Sequence, residues 1–117
     1  MSHSEAVDIL TTAYAERPGY TRIQHPWVRL AVIDFAIHSG PRRATQALQR
    51  AAGAVADGFF GPKTEARVNR APTTRLVKTL TAARLTHWAN IVKRDSSQRV
   101  FLVGWIRRLA TLLDHEA

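Results

Sequence analysis

The chain has 117 residues, with 17 Lys or Arg against 9 Asp or Glu, for a formal charge of +8 and no cysteine. That length and a 45% hydrophobic content fit one globular domain with a modest core and exclude wholesale disorder. The missing cysteines exclude disulfides and thiolate metal sites. The charge selects polyanionic partners by sign alone: nucleic acid, anionic lipid or an anionic wall polymer. The first residues do not read as a signal peptide, because His3, Glu5 and Asp8 interrupt them. No apolar run approaches the roughly 20 residues that span a bilayer.

In chain order, residues 2–16 read as a helix. Ser2 with Glu5 forms a capping box, and Ala6, Ile9, Leu10, Ala13 and Tyr14 make an apolar stripe. Pro18-Gly19 stops it, and residues 19–25 read as a loop with Tyr20 and Ile23 tucked down. Residues 26–38 follow as a helix so broadly apolar that it belongs at the centre of the fold, with Asp34 and Arg29 as its exceptions. Gly40 is expected to end it in the left-handed conformation. Residues 41–52 form the next helix, with Ala44, Ala47, Leu48 and Ala51 on one face and Gly53 closing it.

Residues 54–61 are turn-rich, with Asp57-Gly58 as a tight turn and Val55, Phe59 and Phe60 available to plug apolar gaps. Pro62 opens a short helix over residues 62–69, where its missing N–H costs nothing. Thr73 or Thr74 is expected to cap a long helix running to about residue 95, striped by Leu76, Val77, Leu80, Ala83, Trp88, Ile91 and Val92. Arg75, Lys78, Arg84, Lys93 and Arg94 are read as its surface decoration. Asp95-Ser96-Ser97 makes a turn with a new cap, and residues 98–114 form the last helix. No stretch alternates as a strand does. The expected fold is all-α, a compact bundle of about six helices around the central helix at residues 26–38, in a single domain over residues 1–117.

The stretch DFAIHSGPRRATQALQRAAGAVADGFFGPKTEARVN, residues 34–69, carries a helix ending D-x-A-x-x-x-G, then an L-Q helix, then D-G-x-x-G-P-x-T. These are Asp34, Ala36, Gly40, Leu48, Gln49, Asp57, Gly58, Gly61, Pro62 and Thr64. Phe101, Gly104, Trp105 and Arg108 add a closing F-x-x-G-W-x-x-R. In these motifs, over roughly residues 4–109, the chain resembles the C-terminal half of family 108 glycoside hydrolases, phage-type and bacterial N-acetylmuramidases. That half is described as a predicted peptidoglycan-binding domain. The resemblance implies an α-helical fold and a wall-directed role in phage lysis or wall remodelling. The family's catalytic glutamate belongs to an N-terminal E-G-G-Y-like motif, followed by a D-P-x-x-x-G-G-x-T-like segment. Neither occurs here, and the chain reads as starting after that region.

Glycoside hydrolysis needs a carboxylic acid beside the scissile bond. Among the nine carboxylates, Glu5, Asp8 and Glu65 read as capping or dipole residues, Glu16 precedes a Pro-Gly break, Asp95 is a turn residue, and Asp114 and Glu116 are terminal. Asp34 is the one expected to be buried, held by a hydrogen bond or an arginine. The five histidines show no metal-ligand spacing, and no nucleophile arrangement is visible, so no catalytic residue, metal or cofactor is assigned.

The candidate peptidoglycan contacts are Asp57, Gly58, Phe60, Lys63 and Thr64, with His38, Arg42 and Arg43. Each has a plainer role: Asp57, Gly58 and Thr64 as turn chemistry, Phe60 as a core plug, His38 as a helix C-terminal cap. One of Phe59 and Phe60 is expected to be exposed. Arg42, Arg43, Arg50, Lys63, Arg67 and Arg70 form one-sided basic surface read as anion-binding. The expected partner is peptidoglycan glycan, with no cutting by the chain alone. The cationic last helix adds anionic lipid or lipopolysaccharide as a second partner. A lysozyme with a displaced acid and a basic nucleic-acid-binding protein are the alternatives. The place of action is the bacterial cell wall, reached from the cytoplasm without a signal peptide of the chain's own.

Overall fold

The computed structural model describes residues 19–114. The expected helix over residues 2–16 lies outside the described residues, as do His3, Glu5, Asp8, Glu16, His115 and Glu116. A short 3-10 turn, Tyr20–Arg22, leads into five α-helices: α1 (Pro26–Ser39), α2 (Pro41–Ala52), α3 (Pro62–Arg70), α4 (Thr73–Arg94) and α5 (Leu102–Asp114). A second 3-10 segment, Ser96–Phe101, joins α4 to α5. No strand occurs among the described residues, and the fold is all-α.

α1 is the central helix, as its sequence demands. His25 caps it, its Nδ1 accepting from the Trp27 N–H at 3.2 Å, and Pro26 supplies the first helical residue. Val28, Ala31, Val32, Ile33, Phe35 and Ala36 are all buried, a face too broad for a helix lying on a surface. α2 approaches closely because Ala44, Ala47 and Ala51 keep its inner face small. α4 completes the core with Leu76, Val77, Leu80 and Trp88. Each large apolar side chain buried this way contributes about 1.5–3 kcal/mol relative to leaving it in water.

Gly40 turns the chain from α1 to α2 without a linker. Its N–H donates to Ala36 O at 2.8 Å and its carbonyl accepts from the Ala44 N–H at 3.1 Å. The expected left-handed conformation is corrected: φ is 92° but ψ is 147°, a region essentially reserved for glycine. Gly53 does take the left-handed conformation, and the Ala54 N–H donates to Gln49 O at 2.8 Å in a Schellman closure of α2.

Residues 20–22 are a 3-10 turn rather than open loop, and Tyr20 and Ile23 are buried as expected. The Tyr20 hydroxyl donates to Pro41 O at 3.0 Å and lies 2.6 Å from Thr45 Oγ1, and burial pushes its phenol up to about 12.

Two expectations for the second half are corrected. Neither Thr73 nor Thr74 caps α4: its N-cap is Pro72, with no side-chain cap hydrogen bond. The last helix is not continuous from residue 98. Asp95 accepts from the Ser97 N–H at 3.1 Å and Ser97 Oγ at 2.6 Å, and this tight turn propagates as 3-10 helix before α5 begins. Val100, Phe101, Val103, Ile106 and Leu113 are exposed, while Leu109 and Leu112 are buried.

Arg84 is the third correction. It is 1% exposed, not surface decoration. Its Nη1 donates to Asp34 Oδ2 at 2.7 Å, and its guanidinium lies over the Phe35 and Trp88 rings at 5.5 and 5.2 Å from their centroids. Asp34 is thus the arginine-held acid its position predicts.

Candidate functional site

The turn between α2 and α3 is built around one buried amide. Gln49, fully buried on α2, has Nε2 within 2.8 Å of Asp57 Oδ1, 2.9 Å of Phe59 O and 3.0 Å of Thr64 Oγ1, so its two N–H bonds are shared among three acceptors. Its Oε1 accepts from the Gly58 N–H at 2.9 Å, and Asp57 Oδ1 also accepts from the Phe59 N–H at 2.9 Å. These bonds hold the Asp57 carboxyl below the usual range, the Phe59 N–H first and the Gln49 amide next. Gly58 has φ 82°, and a Cβ there would meet Arg42 Cγ at 2.9 Å. Gly61 makes room differently: a Cβ would meet Phe59 Cε1 at 2.9 Å. Every fixed residue of D-G-x-x-G-P-x-T therefore has a folding role, with Pro62 opening α3 and Thr64 buried against Gln49.

What this clamp positions is a groove of about 610 Å³ between the turn and α3, lined by Gly53, Val55, Asp57, Lys63, Arg67 and Arg70 among others. Lys63, Arg67 and Arg70 are exposed along α3, and Val55 is an exposed apolar residue at its edge. Among the described residues the groove offers hydrogen-bond donors and positive charge with a single carboxylate, Asp57.

The predicted contacts divide into separate groups. Asp57, Gly58, Lys63 and Thr64 come together, with Arg42 packed over Gly58. Phe60 is corrected as a surface contact. It is 2% exposed, edge-on to Tyr20 at 6.0 Å, and held by Arg22, which lies over its ring and donates to its carbonyl. Phe59, at 71% exposure, is the open ring of the pair. Thr64 is likewise buried, its hydroxyl used by Gln49.

His38 lies elsewhere. At the end of α1 its ring packs beside Trp88 and Trp105, with centroids at 5.7 and 5.4 Å, and its Nδ1 is 3.4 Å from Arg84 Nη2. Burial, with Arg84 and Arg108 nearby, pulls its pKa down. Arg43 points to another cleft, shared with α4. The single basic surface expected from sequence is thus divided, Lys63, Arg67 and Arg70 on one side and Arg43 and Arg50 on the other.

Two residues escaped the sequence reading as functional parts. Gln49 was visible only as a motif letter. Arg84 had a signal: Leu76, Leu80, Arg84 and Trp88 recur every fourth residue, which places the arginine on the buried stripe. Among the described residues no group of three or more His, Asp or Glu is placed to hold a metal ion, and no helix is long and apolar enough to cross a membrane.

A family model described as a predicted peptidoglycan domain matches residues 43–110, which includes Gln49, the clamped turn, α3, α4 and Arg108. No curated protein matches the chain. Among solved structures, that of Brucella abortus SagA is similar, with a TM-score of 0.77 and 32% identity over 96% of this chain and 62% of that one. The chain therefore spans less than two thirds of that protein's length.

Proposed function

The chain belongs to the family of predicted peptidoglycan domains, and from that premise we propose that residues 1–117 act as one wall-binding unit that holds glycan in the groove beside residues 57–64 without cutting it. Peptidoglycan binding, and with it action at the cell wall, comes with the family. The finer reading rests on the motifs that resemble the C-terminal half of family 108 muramidases. In a complete enzyme of that kind, this unit would form one wall of the substrate cleft, and the acid would come from an E-G-G-Y-like motif that this sequence does not contain.

The observation that supports the groove is the Gln49 clamp. It ties Asp57, the Phe59 backbone and the start of α3 together beside three exposed cations. A rigid, donor-rich groove loses little entropy on binding a polyhydroxylated strand. Phe59 supplies an exposed apolar face of the kind a sugar ring stacks on.

The carboxylates in view suit binding better than hydrolysis. Both Asp34 oxygens are engaged by guanidinium groups, Arg84 on one and Arg108 on the other, so neither is free to protonate a leaving oxygen. Among the described residues Asp57 is the only carboxylate lining the groove, whereas glycosidases commonly set two across the bond they break. The comparisons offer no support for the nucleic-acid alternative. The test is a titration of purified glycan fragments into the chain. Phe59→Ala with Lys63→Gln should weaken binding about tenfold or more, since a stacked ring and a cation each contribute on the order of 1 kcal/mol. Unchanged affinity in that variant would place the glycan elsewhere.

A further inference from the structure

A second cleft lies on a different face of α2. There Arg43 and Arg50 look across to His87 and Arg94 on α4, over a floor that includes Ala47 and Ala83, in a volume of about 430 Å³. Among the described residues none that lines it is a carboxylate. All three arginines are exposed, and among the described residues none of them has an ion-pair partner. Elsewhere Arg22, Arg84 and Arg108 each lie against a carboxylate. Three guanidiniums gathered around one hollow repel one another unless an anion enters it. The cleft is distinct from the glycan groove: Arg42 on α2 packs on the Gly58 turn, while Arg43, next in sequence, lines this one.

We propose that the α2–α4 cleft is an oxyanion site that takes a small aliphatic ligand carrying carboxylate or phosphate oxygens. The guanidinium forks match either group in bidentate geometry. Ala47, Ala82, Ala83 and Phe35 give the cleft an apolar lining on which short aliphatic carbons can lie. If the wall-binding reading holds, the nearest source is the free carboxylates of the stem peptides, with a phosphodiester polymer of the wall as the other.

His87 reports on occupancy. Burial comes first in pulling its pKa down, and Arg43, Arg94 and His38 add to it. Of the groups facing it, Arg43 and Arg50 come from α2, Arg94 from α4 and His38 from α1. An anion between them would neutralise that field and raise the pKa again.

The test is an NMR titration of the full chain with two probes, a soluble stem tripeptide with free carboxylates and glycerol phosphate. A saturable shift at the Arg43, Arg50 and Arg94 side chains, with a raised His87 pKa, is expected for at least one probe. Arg43→Gln with Arg94→Gln should weaken it about tenfold or more, while Lys63→Gln with Arg67→Gln leaves it unchanged. Tighter binding of the peptide or of the phosphate decides the source. Non-saturating shifts spread over all arginines, or saturable shifts that survive the double substitution, would overturn the site. Probe binding in the cleft by a chain that ignores sacculi would leave this site standing and remove the wall-binding reading instead.

Discussion

Asp34 and Arg84 face each other across the core at 2.7 Å, one on α1 and the other on α4, and Arg108 of α5 takes the free carboxylate oxygen at the same distance. One acid therefore ties three helices. Asp34 opens the D-x-A-x-x-x-G stretch and Arg108 closes F-x-x-G-W-x-x-R, so residues 74 positions apart in sequence share one structural task.

Breaking this pair from the buried side should be costly. Asp34→Asn strands the Arg84 guanidinium, which is 1% exposed, and should destabilise by about 3–5 kcal/mol in urea unfolding. Arg108→Gln removes a half-exposed partner and should cost under about 1 kcal/mol. Replacing both members of the pair, Asp34→Leu with Arg84→Met, should cost less than Asp34→Asn alone, because no charge is left unpaired.

Gln49 makes a second prediction, for the turn. Gln49→Ala leaves the Gly58 N–H and the Thr64 hydroxyl without their partner and should cost about 1–3 kcal/mol. Hydrogen exchange is the discriminating readout. The Gly58 amide should exchange much faster in the variant, while amides in the middle of α1 slow or quicken only with global stability.

Gly58→Ala tests the turn from the backbone side. Its φ of 82° disfavours any side chain, and the new Cβ would meet Arg42 Cγ at 2.9 Å. The expected loss is about 1 kcal/mol, lessened by Arg42→Ala, which clears the space but not the backbone strain.

These predictions also show which parts of the fold could be read in the sequence. Helix boundaries around Pro26, Gly40, Gly53 and Pro62 were readable because proline and glycine act through local backbone geometry. The broken last helix was not, and the buried arginine was legible only in the fourth-residue spacing that sets it on the α4 stripe. Whether Arg84 points to solvent depends on Asp34, 50 residues away, and whether residues 96–101 wind as 3-10 depends on how α4 and α5 meet. At the site, Phe59 and Phe60 are chemically identical neighbours, and only the packing of Tyr20 and Arg22 decides which is buried. The two-sided distribution of the arginines likewise needed the orientation of α2.

Stability should fall as the medium is acidified from neutral. His38 and His87 both have pKa values pulled below the ordinary histidine range, by burial first and nearby arginines next. The unfolded chain therefore takes up protons before the folded one does. Their stabilisation is complete above the unfolded value near 6.5 and is lost progressively below it, levelling off under the folded values. Asp57 and Asp95, held below the usual carboxylate range by hydrogen bonds, lose their contribution in a lower window, below the ordinary value of 3.8. Denaturation midpoints from pH 7.5 to 5 should show the first slope. His38→Gln and His87→Gln together should flatten it, and a slope unchanged in that variant would contradict the assignment.

The most direct test of the wall-binding account is co-sedimentation of the chain with purified peptidoglycan sacculi at low and at high salt, with the supernatant assayed for released muropeptides. Exposed charges are largely screened at high salt, where the Debye length falls to about 3 Å at 1 M, so attraction to the wall by charge alone would vanish. The account predicts pelleting that survives high salt, is weakened by Phe59→Ala with Lys63→Gln, and releases no muropeptides. Pelleting abolished by salt would reduce the groove to a charged surface, and muropeptide release would contradict a chain that binds without cutting.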